Sequence, residues 1–369
     1  MYFSRDYTTH DHRFLSVLAD SEHHVGFLQL EHRGNSLEDR PLPAGIQHIH
    51  WVGGQVPARF LDVLRLIAGL KKVIRDFKPD LIQAGPIQRS AFLVALTGFH
   101  PLVTMSWGYD LLIDAHKGSG WGWATRFTLK RSDALIADCD TLRLLAGSYG
   151  MDEDRIVTFP WGVNLHKFTP AKVKWETNVR KRLGWGQDKF VLLSTRGWSE
   201  LYGVEDLAHA FVQAARRQPN LRLLMLGNGP LAPKIRRIFT QGGVQDLVRF
   251  PGQISQDKLP DYYRSADLYI STSHSDGSSI SMLEALSSGT PVLLTDIPGN
   301  QEWVTQPGTV GWTFRDGQVE SLVNGILHAV AKRDALPEMA VTARQLAEAR
   351  ANWDSNALKI FTAYKIATS

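Results

Sequence analysis

The sequence predicts an α/β protein of two domains, each a parallel sheet covered by helices on both faces. Three observations carry this. The chain has 369 residues, 43% of them apolar, enough for two ordinary cores. Short apolar runs alternate with amphipathic stretches of helical period, the grammar of parallel strands joined by crossover helices. That alternation runs twice, and the charged stretch 168–188, poor in apolar residues, separates the two passes and reads as the inter-domain connection. Expected boundaries are 1–165 and 166–352, with a last helix over 353–369.

In the first half, strands are expected over Tyr2–Ser4, Val25–Leu30, Ile46–Trp51, Leu81–Ala84, Leu102–Met105, Ala134–Ala137 and Ile156–Phe159. Helices are expected over Asp11–Leu18, Phe60–Phe77, Ser90–Thr97 and Gly122–Lys130, with a Gly/Pro-rich loop over 31–45. Ligands of such sheets sit beyond the carboxyl ends of the strands. Those ends carry Arg5, Asp6 and Tyr7, then Gln88 after Gly85-Pro86, then Tyr109 and Asp110 after Ser106-Trp107-Gly108. In the second half, strands are expected at 189–194, 221–226, 248–250, 267–270 and 292–294, and helices at 204–218, 231–240, 259–265 and 281–288. The helix over 353–368 either packs back on the first domain or caps its own.

Composition narrows the function. One cysteine, Cys139, excludes an internal disulfide and cysteine-cluster metal sites, and fits a reducing compartment. No signal-peptide core and no run of about 18 apolar residues is present, so a cytoplasmic protein is expected. The net charge of +4 is mildly basic, an excess that is usually just solvated surface and that also suits anionic partners such as nucleotide phosphates or an inner membrane face. No basic stretch is interleaved with aromatics as in a nucleic-acid reader, so no nucleic-acid partner is expected. The 13 histidines show no metal-ligand spacing. Asp138-Cys139-Asp140 reads as a loop running into a helix start.

The stretch Ser273–Pro291 concentrates the chemistry. An apolar strand runs into a small polar loop, and a short helix follows, stopped by Gly289. Free N–H groups and the positive end of a helix dipole make such a loop an anion site. Asp276 and Glu284 stand there with seven residues between them. Spacing alone leaves other roles open: Ser281 and Glu284 form a capping-box pattern, and Asp276 an Asx turn before Gly277.

The second half resembles the retaining GT-B glycosyltransferases of family 4. The resemblance rests on Pro160-Trp161-Gly162-Val163-Asn164 with Phe168-Thr169-Pro170, on Leu226-Gly227-Asn228-Gly229-Pro230, and on Val248–Ile254 followed by Tyr262–Asp267. The paired acids of the Ser273–Pro291 stretch complete it. The first half matches more loosely, through Trp107-Gly108-Tyr109-Asp110. The resemblance implies two Rossmann-like domains facing a central cleft, the second holding a nucleotide-sugar donor and the first an acceptor. It also implies transfer with retained configuration and no required metal or other cofactor.

Carried onto this chain, the catalytic set is Asp276, Glu284 and Arg196. Glu284 would take the ribose diol, Asp276 the sugar hydroxyls and Arg196 the diphosphate. Donor contacts would come from Gly277, Ser278, Ser279, Ile280, Gln253, Ile254, Glu302 and Tyr202; acceptor contacts would come from Asp6, Tyr7, Gln88, Tyr109 and Asp110. Two departures stand out. Asp276 occupies a position where the family usually has Glu, and Tyr202 one where it often has Lys. The expected reaction moves a sugar, UDP-linked, to a hydroxyl of a carbohydrate, a lipid-linked or a small-molecule acceptor, in glycan, glycolipid or polysaccharide synthesis. A sugar-nucleotide epimerase and a non-catalytic sugar-nucleotide binder are the alternatives. Helix 60–77 and the segment 121–131 mix apolar residues with Lys and Arg, as a peripheral membrane contact or an ordinary sheet-covering helix would.

Overall fold

A computed structural model of the chain describes residues 1–32, 38–58 and 60–369. Part of the expected loop 31–45 therefore lies outside the described residues. The chain divides into two compact units: residues 1–160 with 355–369, and residues 161–354.

Among the described residues the first unit holds seven strands: β1 (Tyr2–Ser4), β2 (Val25–Gln29), β3 (Ile46–His48), β4 (Ile82–Gly85), β5 (Leu102–Met105), β6 (Ala134–Ala137) and β7 (Ile156–Thr158). They lie in the order β3-β2-β1-β4-β5-β6-β7. Every pairing is parallel, with Phe3 facing Leu28 on one side and Ala84 on the other. Parallel strands need crossovers, and right-handed ones put the helices that step one way along the sheet on one face. Helix Thr9–Ala19 connects β1 to β2, stepping toward β3. Helices Val63–Phe77, Phe92–Thr97, Ser119–Lys130 and Asp140–Ser148 step the other way. Leu66, Leu70, Leu93 and Val94 pack with Phe3, Leu28 and Ile82 into one cluster on the sheet.

The last helix, Lys359–Thr368, packs on β5, β6 and β7 of this same unit. Its Ile360 and Ala363 are fully buried, and the Tyr364 hydroxyl donates to Gln83 Oε1 at 2.5 Å.

The second unit repeats the plan with β8 (Phe190–Ser194), β9 (Leu221–Leu226), β10 (Val248–Gly252), β11 (Leu268–Ser271), β12 (Val292–Thr295) and β13 (Gly311–Phe314). They lie in the order β10-β9-β8-β11-β12-β13, again all parallel. Both faces are covered, so Phe190–Ser194 is buried along its whole length.

Several elements differ from expectation. β3 stops at His48, because Trp51 turns back to donate its indole N–H to Gln29 O at 2.7 Å. Before Phe92 the chain makes one wide turn over 87–91, and regular helix covers only 92–97. The stretch 168–188 is no linker. Phe168, Val179 and Trp185 join the core of the second unit. Arg180, 1% exposed, binds Asp267 at 2.5 Å and Ser265 O at 2.7 Å. The division falls earlier, at Pro160–Trp161, because Val163 pairs with Asn352 inside the second unit. β13 and the helices Val319–Ala331 and Leu336–Arg350 were absent from the sequence reading.

Candidate active site

The loop 272–279 leaves the carboxyl end of β11 and runs into the helix Ile280–Ser287. That helix opens with Ser279 as N-cap, without a side-chain capping bond. The capping box of Ser281 and Glu284 is therefore not formed. Ser281 sits inside the first turn, and the buried Glu284 carboxylate turns to Tyr263, whose hydroxyl donates to Oε2 at 2.8 Å. Tyr263 in turn lies 3.1 Å from the Thr195 hydroxyl at the end of β8. Burial, with the charge of Glu284 beside it, holds the Tyr263 phenol well above its ordinary range, so it stays a donor.

Arg196, two residues beyond β8, ties the loop together. Its guanidinium donates to Asp276 Oδ2 at 2.7 Å, to Ser279 Oγ at 2.7 Å and to Ser281 Oγ at 2.9 Å. The face of the cation lies 4.2 Å from the centre of the Tyr202 ring. Tyr202, at the position where the family often has a cation, thus stacks on the one that is present. Ser281 also receives the Tyr269 hydroxyl at 2.8 Å. Burial works against both charges of the ion pair. It pushes the Asp276 carboxyl upward against the pull of Arg196; Arg196 is raised because Asp276 and the surrounding tyrosines outweigh its own desolvation. The Nε–H of Arg196 is buried and has no acceptor among the described residues.

Two glycines make the arrangement possible. Gly203 has φ +55°, and a Cβ there would sit 2.1 Å from Thr272 O. A Cβ on Gly299 would sit 2.6 Å from Asp276 O and 2.8 Å from Gly277 O, so the loop backbone rests directly on it. Trp303 closes the far side, its indole N–H 3.3 Å from Ser278 Oγ.

The other expected donor contacts are placed as follows. Gly277, Ser278 and Ser279 are buried in the loop, and Ile280 is half-buried at the helix start. Gln253 is exposed just beyond β10, while Ile254 packs on the core of the unit. Glu302 is the C-cap of the short helix Pro298–Gln301, and its carbonyl accepts from Arg350 at 2.7 Å. Asp276, Glu284, Arg196 and Tyr202 are brought into one connected cluster around the loop and helix. Tyr263, Tyr269, Thr195 and Trp303 were missed by sequence reasoning as site residues. Tyr263 meets Glu284 across 21 positions of sequence, and no local pattern marks such a partner.

In the first unit, the expected acceptor residues split into two groups at the carboxyl edge of the sheet. Asp6 Oδ1 accepts from Gln29 Nε2 and from the backbone of Tyr7, both at 2.8 Å; Tyr7 donates to Pro41 O at 3.0 Å. Gln88 donates to Asp110 O at 2.8 Å and to Thr125 Oγ1 at 2.7 Å, and among the described residues its buried Oε1 has no donor. Tyr109 is half-buried, and burial raises its phenol to about 12. Asp110 is a correction. It is fully buried and accepts from Ser106 Oγ at 2.6 Å and from three backbone N–H groups, those of Ile87, Trp107 and Leu111. Its role is to hold the loops after β4 and β5 together.

With this geometry in place, the comparisons with known proteins bear on it directly. A family model described as glycosyl transferases group 1 matches residues 176–353, and one described as glycosyltransferase family 4 matches residues 8–167. The chain belongs to the GT-B glycosyltransferases of family 4. Within this family it is 29% identical over 163 residues to an alpha-monoglucosyldiacylglycerol synthase from Streptococcus pneumoniae, covering 44% of this chain and 37% of that protein. It is 30% identical over 250 residues to a D-inositol 3-phosphate glycosyltransferase from Xylanimonas cellulosilytica, covering 64% and 58%. The chain thus spans about half the length of the curated relatives it matches. Among solved structures, HepE from Anabaena, in complex with UDP, superimposes with a TM-score of 0.78 at 19% identity over 99% of both chains, a likeness of fold.

Proposed function

We propose that this glycosyltransferase moves a sugar from a UDP-sugar to an acceptor hydroxyl with retention of anomeric configuration. The observation that carries the reading is the Arg196 cluster. A fork-shaped cation, a shared pair of serine hydroxyls and a helix N-terminus converge on one loop, with a buried carboxylate behind them. HepE, solved with UDP and with UDP-glucose, supports the choice of nucleotide.

In this reading the second unit holds the donor. The Arg196 guanidinium and the N–H groups of the helix Ile280–Ser287 meet the diphosphate, and no metal is called on. Glu284, oriented by Tyr263, accepts both hydroxyls of the ribose. Asp276 accepts from hydroxyls of the sugar. The bond from the anomeric carbon to the diphosphate oxygen breaks as the acceptor oxygen bonds to the same face of that carbon. The acceptor proton passes to the departing phosphate oxygen. The protein contributes by neutralising the charge that develops on the leaving diphosphate and by fixing both substrates. The first unit carries the acceptor, with Tyr7, Gln88 and Tyr109 as its contacts.

Glu284→Gln tests the assignment. Replacing a buried charged acceptor by an amide removes about 2 kcal/mol of interaction, so UDP and UDP-glucose should bind about thirtyfold more weakly in calorimetric titration. Donor turnover should fall with it, while the melting temperature without ligand stays within a few degrees of the parent. Undiminished binding in a folded variant would overturn the ribose role.

A further inference from the structure

The cation assigned to the diphosphate is already engaged before any donor arrives. The turn 195–203 and the segment 272–287 contain a single Arg or Lys, Arg196, against Glu200, Asp276 and Glu284. The exposed His274 is turned to Asp316 Oδ1 at 2.6 Å. Three N–H groups of Arg196 are taken up by Asp276, Ser279 and Ser281. The pair with Asp276 has side chains only 12% and 20% exposed, so salt and water screen it little. Tyr202 covers one face of the guanidinium at 4.2 Å, and a phosphate oxygen cannot approach from there.

A diphosphate therefore has to share Arg196 with Asp276 or displace it. Displacement has a cost that depends on the ligand. Pulled from Arg196, the Asp276 carboxylate keeps Ser279 and the N–H of Gly277, but it is left in a buried place without a countercharge. An intact sugar nucleotide brings replacements, since its sugar hydroxyls donate to the freed carboxylate while its phosphates accept from the freed guanidinium. A nucleoside diphosphate brings phosphates alone, and the carboxylate stays uncompensated.

We propose that Asp276 is a gate on Arg196: it yields the guanidinium to an intact sugar nucleotide and reclaims it from the nucleoside diphosphate left after transfer. The inference rests on the reading of the second unit as the donor site. It makes the first acid of the loop a discriminator between donor and product, acting through Arg196, and it hastens departure of the product. Tyr202 is a positioning residue in this device. Its ring fixes the plane of the guanidinium and leaves the site without a second cation that would hold the product.

Calorimetric titration with UDP and with UDP-glucose tests the gate. Asp276→Asn keeps an acceptor oxygen toward Arg196 but removes the competing charge. UDP should bind about tenfold more tightly to it, and UDP-glucose within about twofold of the parent. Asp276→Ser should show the same selective gain if the melting temperature of the asparagine variant falls. In an Arg196→Gln background, Asp276→Asn should change UDP binding by less than about twofold, because the gain comes from releasing the guanidinium. Tyr202→Lys adds a cation and should tighten both ligands by one common factor. Equal gains for UDP and UDP-glucose in Asp276→Asn, or a gain that survives without Arg196, would overturn the gate by reducing it to simple repulsion. A preference between the two ligands that Asp276→Asn leaves unchanged would overturn it too, with the donor reading intact. Binding of neither ligand by parent or variant would overturn both.

Discussion

His10 and Asp11 occupy the first turn of the helix Thr9–Ala19, and burial moves them in opposite senses. Burial holds the His10 imidazolium down to about 4, and it lifts the Asp11 carboxyl to about 6 despite hydrogen bonds from Thr8 and Tyr2. His10 therefore favours folding fully above the unfolded histidine value of about 6.5, and that contribution is lost as the pH falls toward 4. Asp11 does the reverse: it favours folding at acid pH, and the benefit fades as the pH rises through 6. The two act in opposite directions in the parent protein. His10→Gln removes one side of the balance. On going from pH 7 to pH 4.5 the variant should gain about 2 kcal/mol of stability relative to the parent in urea denaturation. An identical difference at both pH values would contradict a half-buried histidine held neutral by its surroundings. At the same scale, Asp276 is read differently once Arg196 is seen beside it: the shorter acid is long enough to reach the guanidinium at 2.7 Å.

At the scale of elements, the donor loop depends on Gly203 as much as on its charged residues. Alanine there meets Thr272 O at 2.1 Å in a left-handed conformation. Gly203→Ala should cost the second unit more than about 2 kcal/mol in thermal unfolding, and should abolish donor binding by displacing the loop. The loop and its helix were legible in the sequence because each signal is local: an apolar strand, small polar residues, a helix stopped by Gly289. The partners of Glu284 were not, since the same spacing suits a capping box and only the packing of helix Leu259–Ser265 brings Tyr263 to it. Helix Val319–Ala331 was within reach. Leu322, Val323, Ile326 and Ala329 are buried at helical spacing behind the turn Asp316-Gly317. Asp110 shows the opposite limit. A carboxylate after a strand suggests a ligand, but its charge is consumed by three backbone N–H groups and a serine. The stretch 168–188 looked like a linker because seven charged residues interrupt its apolar ones, and only the structure shows Arg180 buried as an internal tie.

At the scale of the molecule, the two units are wired unequally. The second is continuous over 161–354; the first is closed by residues 355–369, which return to it after the second is complete. The Ile360 side chain is fully buried there and Tyr364 reaches Gln83, so deleting 355–369 should cost the first unit about 3 kcal/mol or more. UDP binding by the second unit should survive, which a melt followed in the presence and absence of UDP would resolve. The order of synthesis follows from the same wiring. Residues 161–354 form one continuous stretch, able to fold without a segment from elsewhere in the chain. The first unit has most of its residues before that stretch begins, yet one face of its sheet stays uncovered over β5 to β7 until Lys359–Thr368 is made. The unit begun before the other is thus sealed after it.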